Sequence, residues 1–485
     1  MNLRAPHSPR IPYVPRIPRV VRIELKRSVA PWAGAVVLVA SLAFLHLLHG
    51  EWWQGTTAWT AQWTPMALWT RSLLFYLWPL AVGLGALQGL RDHRSKMPEL
   101  LTSTPRPARH RAGALAGTTA ITLTSAFALL VLVGAVHVLS HSEYTHLGWL
   151  PISLVAALSL VAGSVLGMGA GKALPSVLTP PLTAMAAFVF TALMHMSLGR
   201  TSTTGAMGVP STEPNKISLL SPEVEVRGVF VTLSSAVHLG QTVWLLGMAA
   251  TGFALLVAAT RRVRLLALTP LLAGTVLALL VLPSAPDRMY VVDEAATEQV
   301  CEGPVCVTRT HQDRLADLAG PGKEALRLLR DALGDRAPTA VRENTAVLPE
   351  GATPRWSRET VLIDFDDDTL GAAKGEELTS AVIAKGMVPG CSPAGWSTVG
   401  NSTYAQTAAV GWVLGEFKLL PGTEPAGWRR EVDAKSRPVW QKLTALPRAE
   451  QLARITAMRT VAFSCEDEGD PLDALSGGGS GGGSR

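Results

Sequence analysis

The sequence predicts a polytopic α-helical membrane protein of about seven spanning helices, N-terminus inside and C-terminus outside, carrying an extracytoplasmic α+β domain. Three observations predict it. Seven apolar stretches approach the length of about 20 residues that a bilayer core requires. Charge is scarce, at 16% of residues against about 25% in soluble chains, and it is split along the chain. Residues 1–283 carry 21 Lys and Arg against 8 Asp and Glu, whereas residues 284–485 carry 22 against 29. All four cysteines follow the last apolar stretch.

The spans are read at 31–50, 67–90, 113–138, 149–171, 175–198, 238–260 and 265–283, giving a transmembrane domain over 30–283. Within each, the helix must satisfy its own backbone polar groups. Pro270 and Pro283 bracket the last span as start and stop signals. Orientation follows from Lys and Arg bias. With the N-terminus inside, the segments 1–29, 91–112, Lys172 and Arg261–Arg264 place 17 basic residues in the cytoplasm. The opposite side carries four, Arg71, Arg200, Lys216 and Arg227. Seven spans then put residues 284–475 outside the cell membrane. The cysteines agree, because disulfides persist outside the cytoplasm. Four cysteines allow three pairings, and proximity along the chain favours Cys301–Cys306 and Cys391–Cys465. Zinc is disfavoured by the absence of any CxxC and of paired His spacing.

Residues 1–29 form a basic lead. Pro9, Pro12, Pro15 and Pro18 recur with the period of polyproline II, and 20–29 reads as an interfacial amphipathic helix. With no small-residue cleavage site, the first apolar run is expected to stay as an anchor. Trp52, Trp53, Trp59, Trp63 and Trp69 in the next loop read as an aromatic belt at headgroup level. Gly163, Gly167 and Gly171, four residues apart, predict close helix packing within the chain. In the outer domain, 289–293, 305–309 and 360–365 read as strands. Residues 311–334 read as helical with a break at Gly320-Pro321-Gly322, and further helices are expected near 376–386, 404–418, 437–446 and 448–463. The tail 476–485, SGGGSGGGSR, reads as an appended flexible linker.

Several chemistries are excluded or left without support. GMGAGKA (167–173) lacks the first Gly and the Ser/Thr of a phosphate loop, so no ATP site is found in this chain. GCSPAG and GWSTVG are not serine-hydrolase elbows. His137, His141, Glu143 and His146 could meet beside the third span, but a solvated interfacial loop accounts for them. Asp364, Asp366, Asp367 and Asp368 end a strand, with an N-cap or acidic turn the default against calcium. The pI of 9.3 averages a basic membrane half and an acidic tail, so it gives no support for nucleic-acid binding. The span centres hold essentially no ionisable side chains, which argues against ion-coupled transport.

The segment Arg91–Gly113, RDHRSKMPELLTSTPRPARHRAG, resembles the first cytoplasmic loop of ABC-2-type transporter permeases, including those of high-GC bacteria. The matching residues are Arg94, Glu99, Leu100, Leu101, Ser103, Thr104, Pro105 and Arg106. RIELKRSVAPW (22–32) is similar to the family's interfacial helix, and 199–237 to its re-entrant outer loop. The resemblance covers residues 20–260 and implies a coupling helix at Pro98–Thr102 that docks on a separate ATPase. Glu99, Leu100 and Leu101 would make that contact, braced by Arg91 and Asp92. ATP and Mg²⁺ would belong to the ATPase partner, with no cofactor or metal in this chain, and the permease would act as a homodimer or heterodimer in an exporter. The seventh span and the outer domain depart from the family. Two other readings stand beside this one. The first is a membrane-anchored accessory, immunity or ligand-binding protein acting through its outer domain. The second is a membrane-anchored extracytoplasmic enzyme.

Overall fold

In a computed structural model, the described residues are 30–49, 58–94, 107–142, 144–197, 201–204, 211–212, 214–349, 354–365, 367–391, 401–422, 426–465 and 469–477. The basic lead 1–29 and the linker from 478 onward lie outside them.

The apolar stretches fold as helices α1 (Ala30–His49), α2 (Trp63–Ser72), α3 (Leu74–Gly89), α4 (Ala108–His141), α5 (Trp149–Ala173), α6 (Thr179–Met196), α7 (Ser235–Val257) and α8 (Thr269–Val281). Five helical segments, the last being Arg261–Val281, are long and apolar enough to cross a bilayer. The pair α2 and α3, bent by 48° at Leu73, makes a sixth if counted as one span. The expected second span at 67–90 is therefore two helices. The apolar stretch of α1, Pro31–Leu47, is shorter. The bundle's outer face is apolar: Leu132, Val136 and Leu139 of α4, Leu182 and Leu193 of α6, and Leu272 and Leu280 of α8 are all exposed. A contiguous surface of this kind is what lipid covers and water does not.

Helix α5 is the centre of the bundle, packed on α3 and α7. The glycine spacing read from the sequence lies in this seam. A Cβ on Gly167 would stand 2.0 Å from the Val82 carbonyl oxygen, and one on Gly171 would stand 2.2 Å from that of Ala86. The approach is reciprocal: Gly85 and Gly89 of α3 sit against the backbone of Ser164 and Met168, their hypothetical Cβ atoms 2.1 Å from those carbonyl oxygens. Lipid supplies no hydrophobic drive between helices, so contact of backbones is what joins such a pair.

The tryptophan-rich stretch departs from the expected belt. Trp59 is fully buried and Trp63 nearly so, on a short turn and on α2 respectively. They pack under α4 where Gly134 leaves room, and Trp63 stacks on Trp149 at 5.3 Å. Burial of so much aromatic surface outweighs the headgroup preference. Trp69 is half-buried, and Trp52 and Trp53 lie outside the described residues.

Strands β1 (Thr201–Thr204), β2 (Ser211–Thr212) and β3 (Val231–Leu233) lie between α6 and α7. Strands β4 (Tyr290–Val292), β5 (Gln299–Glu302), β6 (Val305–Thr308), β7 (Ala340–Glu343), β8 (Val347–Pro349) and β9 (Thr360–Ile363) follow α8. Helices α9 (Leu315–Leu333), α10 (Glu376–Met387), α11 (Asn401–Leu414), α12 (Ala426–Thr444), α13 (Arg448–Ser464) and α14 (Pro471–Ser476) complete the α+β domain. Its main sheet runs β5-β6-β7-β9, an antiparallel hairpin followed by two parallel pairings. The core of this sheet and its helices includes Val305, Leu329, Val341, Ile363, Ile383 and Met458. It is separate from the core of the bundle.

Three sequence expectations change here. Helix α9 is unbroken at Gly320-Pro321-Gly322, because its apolar face (Leu318, Ala325, Leu326, Leu329) is anchored on the sheet. Gly322 permits that approach, its hypothetical Cβ meeting Val305 Cγ2 at 2.8 Å. Helix α12 begins at Ala426, well before the expected 437, and passes through Pro438. Helix α14 reaches Ser476 and is capped by Gly477 at φ +83°, so two residues assigned to the linker belong to the fold.

Both expected disulfides, Cys301–Cys306 and Cys391–Cys465, are present. The first crosses the β5–β6 hairpin at directly paired positions. The second closes a separation of 74 residues and ties the end of α13 to the chain leaving α10, a closure that stabilises by about 4 kcal/mol in the chain-entropy account.

Candidate functional site

Three places carry chemistry-bearing side chains. The first is the connection from α3 to α4. Arg91 is exposed on the single turn Arg91–Arg94 that continues α3. The Asp92 side chain lies outside the described residues, as do Glu99, Leu100, Leu101 and the whole of Pro98–Thr102. The flanking helices are joined where Thr119 Oγ1 donates to Gln88 Oε1 at 2.9 Å. At the same end of the bundle, Lys172 donates to the Leu256 carbonyl, and Arg264 Nη1 donates to the Ala173 carbonyl at 2.8 Å. Basic side chains here cap the C-terminal carbonyls of α5 and α7.

The second place is the bend between α2 and α3, toward the other end. Arg71 is fully buried. Its Nη2 donates to Gln241 Oε1 of α7 at 2.7 Å, and its Nε to the Pro222 carbonyl at 3.2 Å. Gln241 in turn donates to the Leu219 carbonyl at 3.0 Å, and Trp244 Nε1 to that of Leu220 at 3.1 Å. The segment 214–222 is thus held into the bundle by side chains that satisfy carbonyls its own turn leaves open. Such irregular backbone persists at membrane depth only where protein covers it. Asn215 forms the turn, its Oδ1 accepting from the Ile217 and Ser218 amides.

Around this junction, Glu223 pairs with His195 of α6 at 3.0 Å. Burial pushes the Glu223 carboxyl up, with His195 pulling it back. The Arg227 guanidinium lies 4.0 Å over the Tyr290 ring, and the Tyr290 hydroxyl donates to the Glu225 carbonyl at 3.2 Å. Helices α2, α6 and α7 and strand β4 meet here. The Arg71 Nη1 has no hydrogen-bond partner among the described residues. The sequence showed Arg71 only as one charge against orientation. A stronger reading was available, since a lone Arg within an apolar run that has Gln241 on another helix marks a functional or structural junction. Arg71→Met is expected to destabilise the protein by about 2–3 kcal/mol, because Gln241 and the Pro222 carbonyl lose a charged donor inside the bundle. SDS titration of the purified protein checks this, and unfolding identical to the parent would show that neither bond matters.

The third place is in the α+β domain. Glu343, at the end of β7, is 4% exposed. One carboxylate oxygen accepts from the Thr308 amide at 2.7 Å and hydroxyl at 2.8 Å, and the other lies 2.6 Å from His311 Nδ1. His311 also touches Phe230, just before β3, and Phe365. Of the acidic run, Asp367 caps the short helix Asp368–Ala372 through the Thr369 and Leu370 amides and pairs with Lys385 at 2.6 Å. Its role is the N-cap expected by default. Asp366 and the Asp368 side chain lie outside the described residues. Among the candidate metal ligands of the third span, His146 stacks on Tyr144 and accepts from the Gly148 amide. Glu143 and the His141 side chain are outside the described residues. No group of three His, Cys, Asp or Glu that could hold a metal occurs among the described residues.

No protein-family model matches this chain, and neither a curated protein nor a solved structure matches it.

Proposed function

We propose that this chain is the transmembrane permease subunit of an ATP-driven, ABC exporter-like complex, coupled to a separate ATPase through the cytoplasmic loop 91–112. In this reading the protein is a multi-pass protein of a cell membrane, with α1 as an additional span. Its N-terminus and basic loops are cytoplasmic, and its α+β domain is extracytoplasmic. The carrying observation is the way α3 is built. The loop leaves the bundle directly from α3, and α3 is joined to the central helix α5 by backbone contact at Gly85, Gly89, Gly167 and Gly171. A push on the loop would therefore move the α3–α5 pair as one body. Gln88 and Thr119 extend that body to α4. ATP and Mg²⁺ would act on the partner ATPase, and two permeases, identical or related, would enclose the pathway.

The test is affinity purification from native membrane in mild detergent. The expected result is a stoichiometric partner with a phosphate-loop motif. Glu99→Arg or Leu100→Asp should remove that partner while membrane insertion is kept. If both variants retain the ATPase, the docking residues are wrongly assigned. If the intact protein carries no ATPase at all, the transporter reading fails. The separate core of the α+β domain then favours the anchored ligand-binding reading.

A further inference from the structure

The α+β domain contains a cluster of three arginines without carboxylate partners among the described residues. Arg459, on α13, is 8% exposed. It makes one hydrogen bond, Nη1 to the Arg336 carbonyl at 3.0 Å, while its Nε and Nη2 are buried with no partner among the described residues. Arg336 is exposed, and its Nη1 donates to Thr456 Oγ1 at 2.8 Å. Arg358, also exposed, stands close enough to act on Arg459. Burial first, then the charges of Arg358 and Arg336, push the Arg459 guanidinium down to about 10. Three cations therefore converge in a domain whose half of the chain carries 22 basic against 29 acidic residues. Elsewhere in the domain, basic side chains pair locally, as Arg327 does with Glu324 and Asp331.

A groove of about 750 Å³ runs from Arg336 along α13, floored by Ala449, Leu452, Ala453 and Ala457. It joins a cationic end to an apolar trough.

We propose that this cluster binds the oxyanion head, phosphoryl or carboxylate, of an amphiphilic ligand whose apolar part lies in the groove along α13. The guanidinium fork suits such heads, since it offers paired N–H donors in one plane. A buried guanidinium with two open donors is otherwise costly to hold among like charges. The proposal is independent of ATPase coupling.

The experiment is equilibrium binding to the full-length protein in nanodiscs of zwitterionic lipid, with dodecyl phosphate and inorganic phosphate as probes. Dodecyl phosphate is expected to bind, inorganic phosphate to bind more weakly, and Arg336→Gln with Arg358→Gln to weaken both by about tenfold or more. These two side chains are exposed, so the fold is expected to survive. Arg459→Lys tests the buried member, and retains charge while losing the fork. Equal binding of both probes would overturn the apolar part of the proposal. Binding unchanged in the double variant would overturn the whole. The acidic stretch Glu466-Asp467-Glu468, outside the described residues, supplies the competing explanation. If neutralising it to Gln, Asn and Gln creates phosphate binding that the parent lacks, the cluster serves the chain itself and the proposal fails. Introducing phosphatidic acid into the nanodisc separates the sources. Competition with dodecyl phosphate would identify a membrane lipid as the ligand, and its absence a soluble one.

Discussion

Gly167→Leu is expected to prevent assembly of the bundle altogether. Even a single Cβ at that position would stand 2.0 Å from the Val82 carbonyl oxygen, and the contacting atom is backbone. Ordinary van der Waals contact begins near 3.4 Å, so α3 and α5 would have to separate by over 1 Å along their whole length. That separation would also open the contacts at Gly85, Gly89 and Gly171. Overpacking usually costs about 1–3 kcal/mol where side chains can yield, and more where they cannot. Gly167→Ala should already lower the thermal midpoint markedly, and the leucine variant should give no monodisperse protein in mild detergent. Gly113→Ala and Gly117→Ala are the controls. They lie in α4 with nothing within 4 Å, so helix propensity alone should stabilise by about 0.5–1 kcal/mol each. A leucine variant with the parent's elution profile and midpoint would show that the seam is not what holds these helices.

Glu343→Ala is expected to be the most damaging single change in the α+β domain. The carboxylate is the common acceptor for the Thr308 amide, the Thr308 hydroxyl and the His311 ring. Removing it leaves a buried backbone donor and two side-chain groups unmatched at the junction of β6 and β7. Each unmatched group costs about 1–3 kcal/mol, so a loss of roughly 4 kcal/mol is expected. Glu343→Gln should cost far less. Its amide oxygen can still accept from Thr308, and its NH₂ can face a ring nitrogen that has given up its proton. Hydrogen exchange of the amides in 305–308 and 340–343 reads the effect locally, which matters in a chain with two cores. Equal protection in the alanine variant and the parent would refute the role given to Glu343.

Much of this was legible because a spanning helix writes its length into the sequence. The stretches 113–138 and 149–171 lie inside α4 and α5, and the glycines at 163, 167 and 171 announced a close packing that the structure places against α3. Both disulfides followed from spacing along the chain. What escaped was set by distant partners. Arg71 is explained only by Gln241 and Pro222, and Trp59 and Trp63 only by the space at Gly134. Strands β5 and β7 hold four residues each, too short for alternation to stand out. Helix α12 is charged on most of its surface and buries little beyond Val432 and Leu443, so its apolar period is faint. The residues proposed to dock an ATPase rest on resemblance and were never a question of spacing.

Strand β3 immediately precedes α7, strand β4 follows α8, and the two pair antiparallel from Val231↔Val292 to Leu233↔Tyr290. A second ribbon, β1 with β8, ties the segment after α6 to the same domain through Ser202↔Pro349 to Thr204↔Val347. A domain hung from one peptide strand can swivel; one held by two hydrogen-bonded ribbons cannot twist without breaking a ladder. Mechanically the α+β domain is then a pointer fixed to its spindle. With a radius of gyration of about 16 Å for roughly 190 residues, a tilt of a few degrees in α7 and α8 becomes an ångström-scale sweep at its far side. Distances measured between a label there and one on α3 would report helix motion in a part of the protein that is simple to reach with a probe.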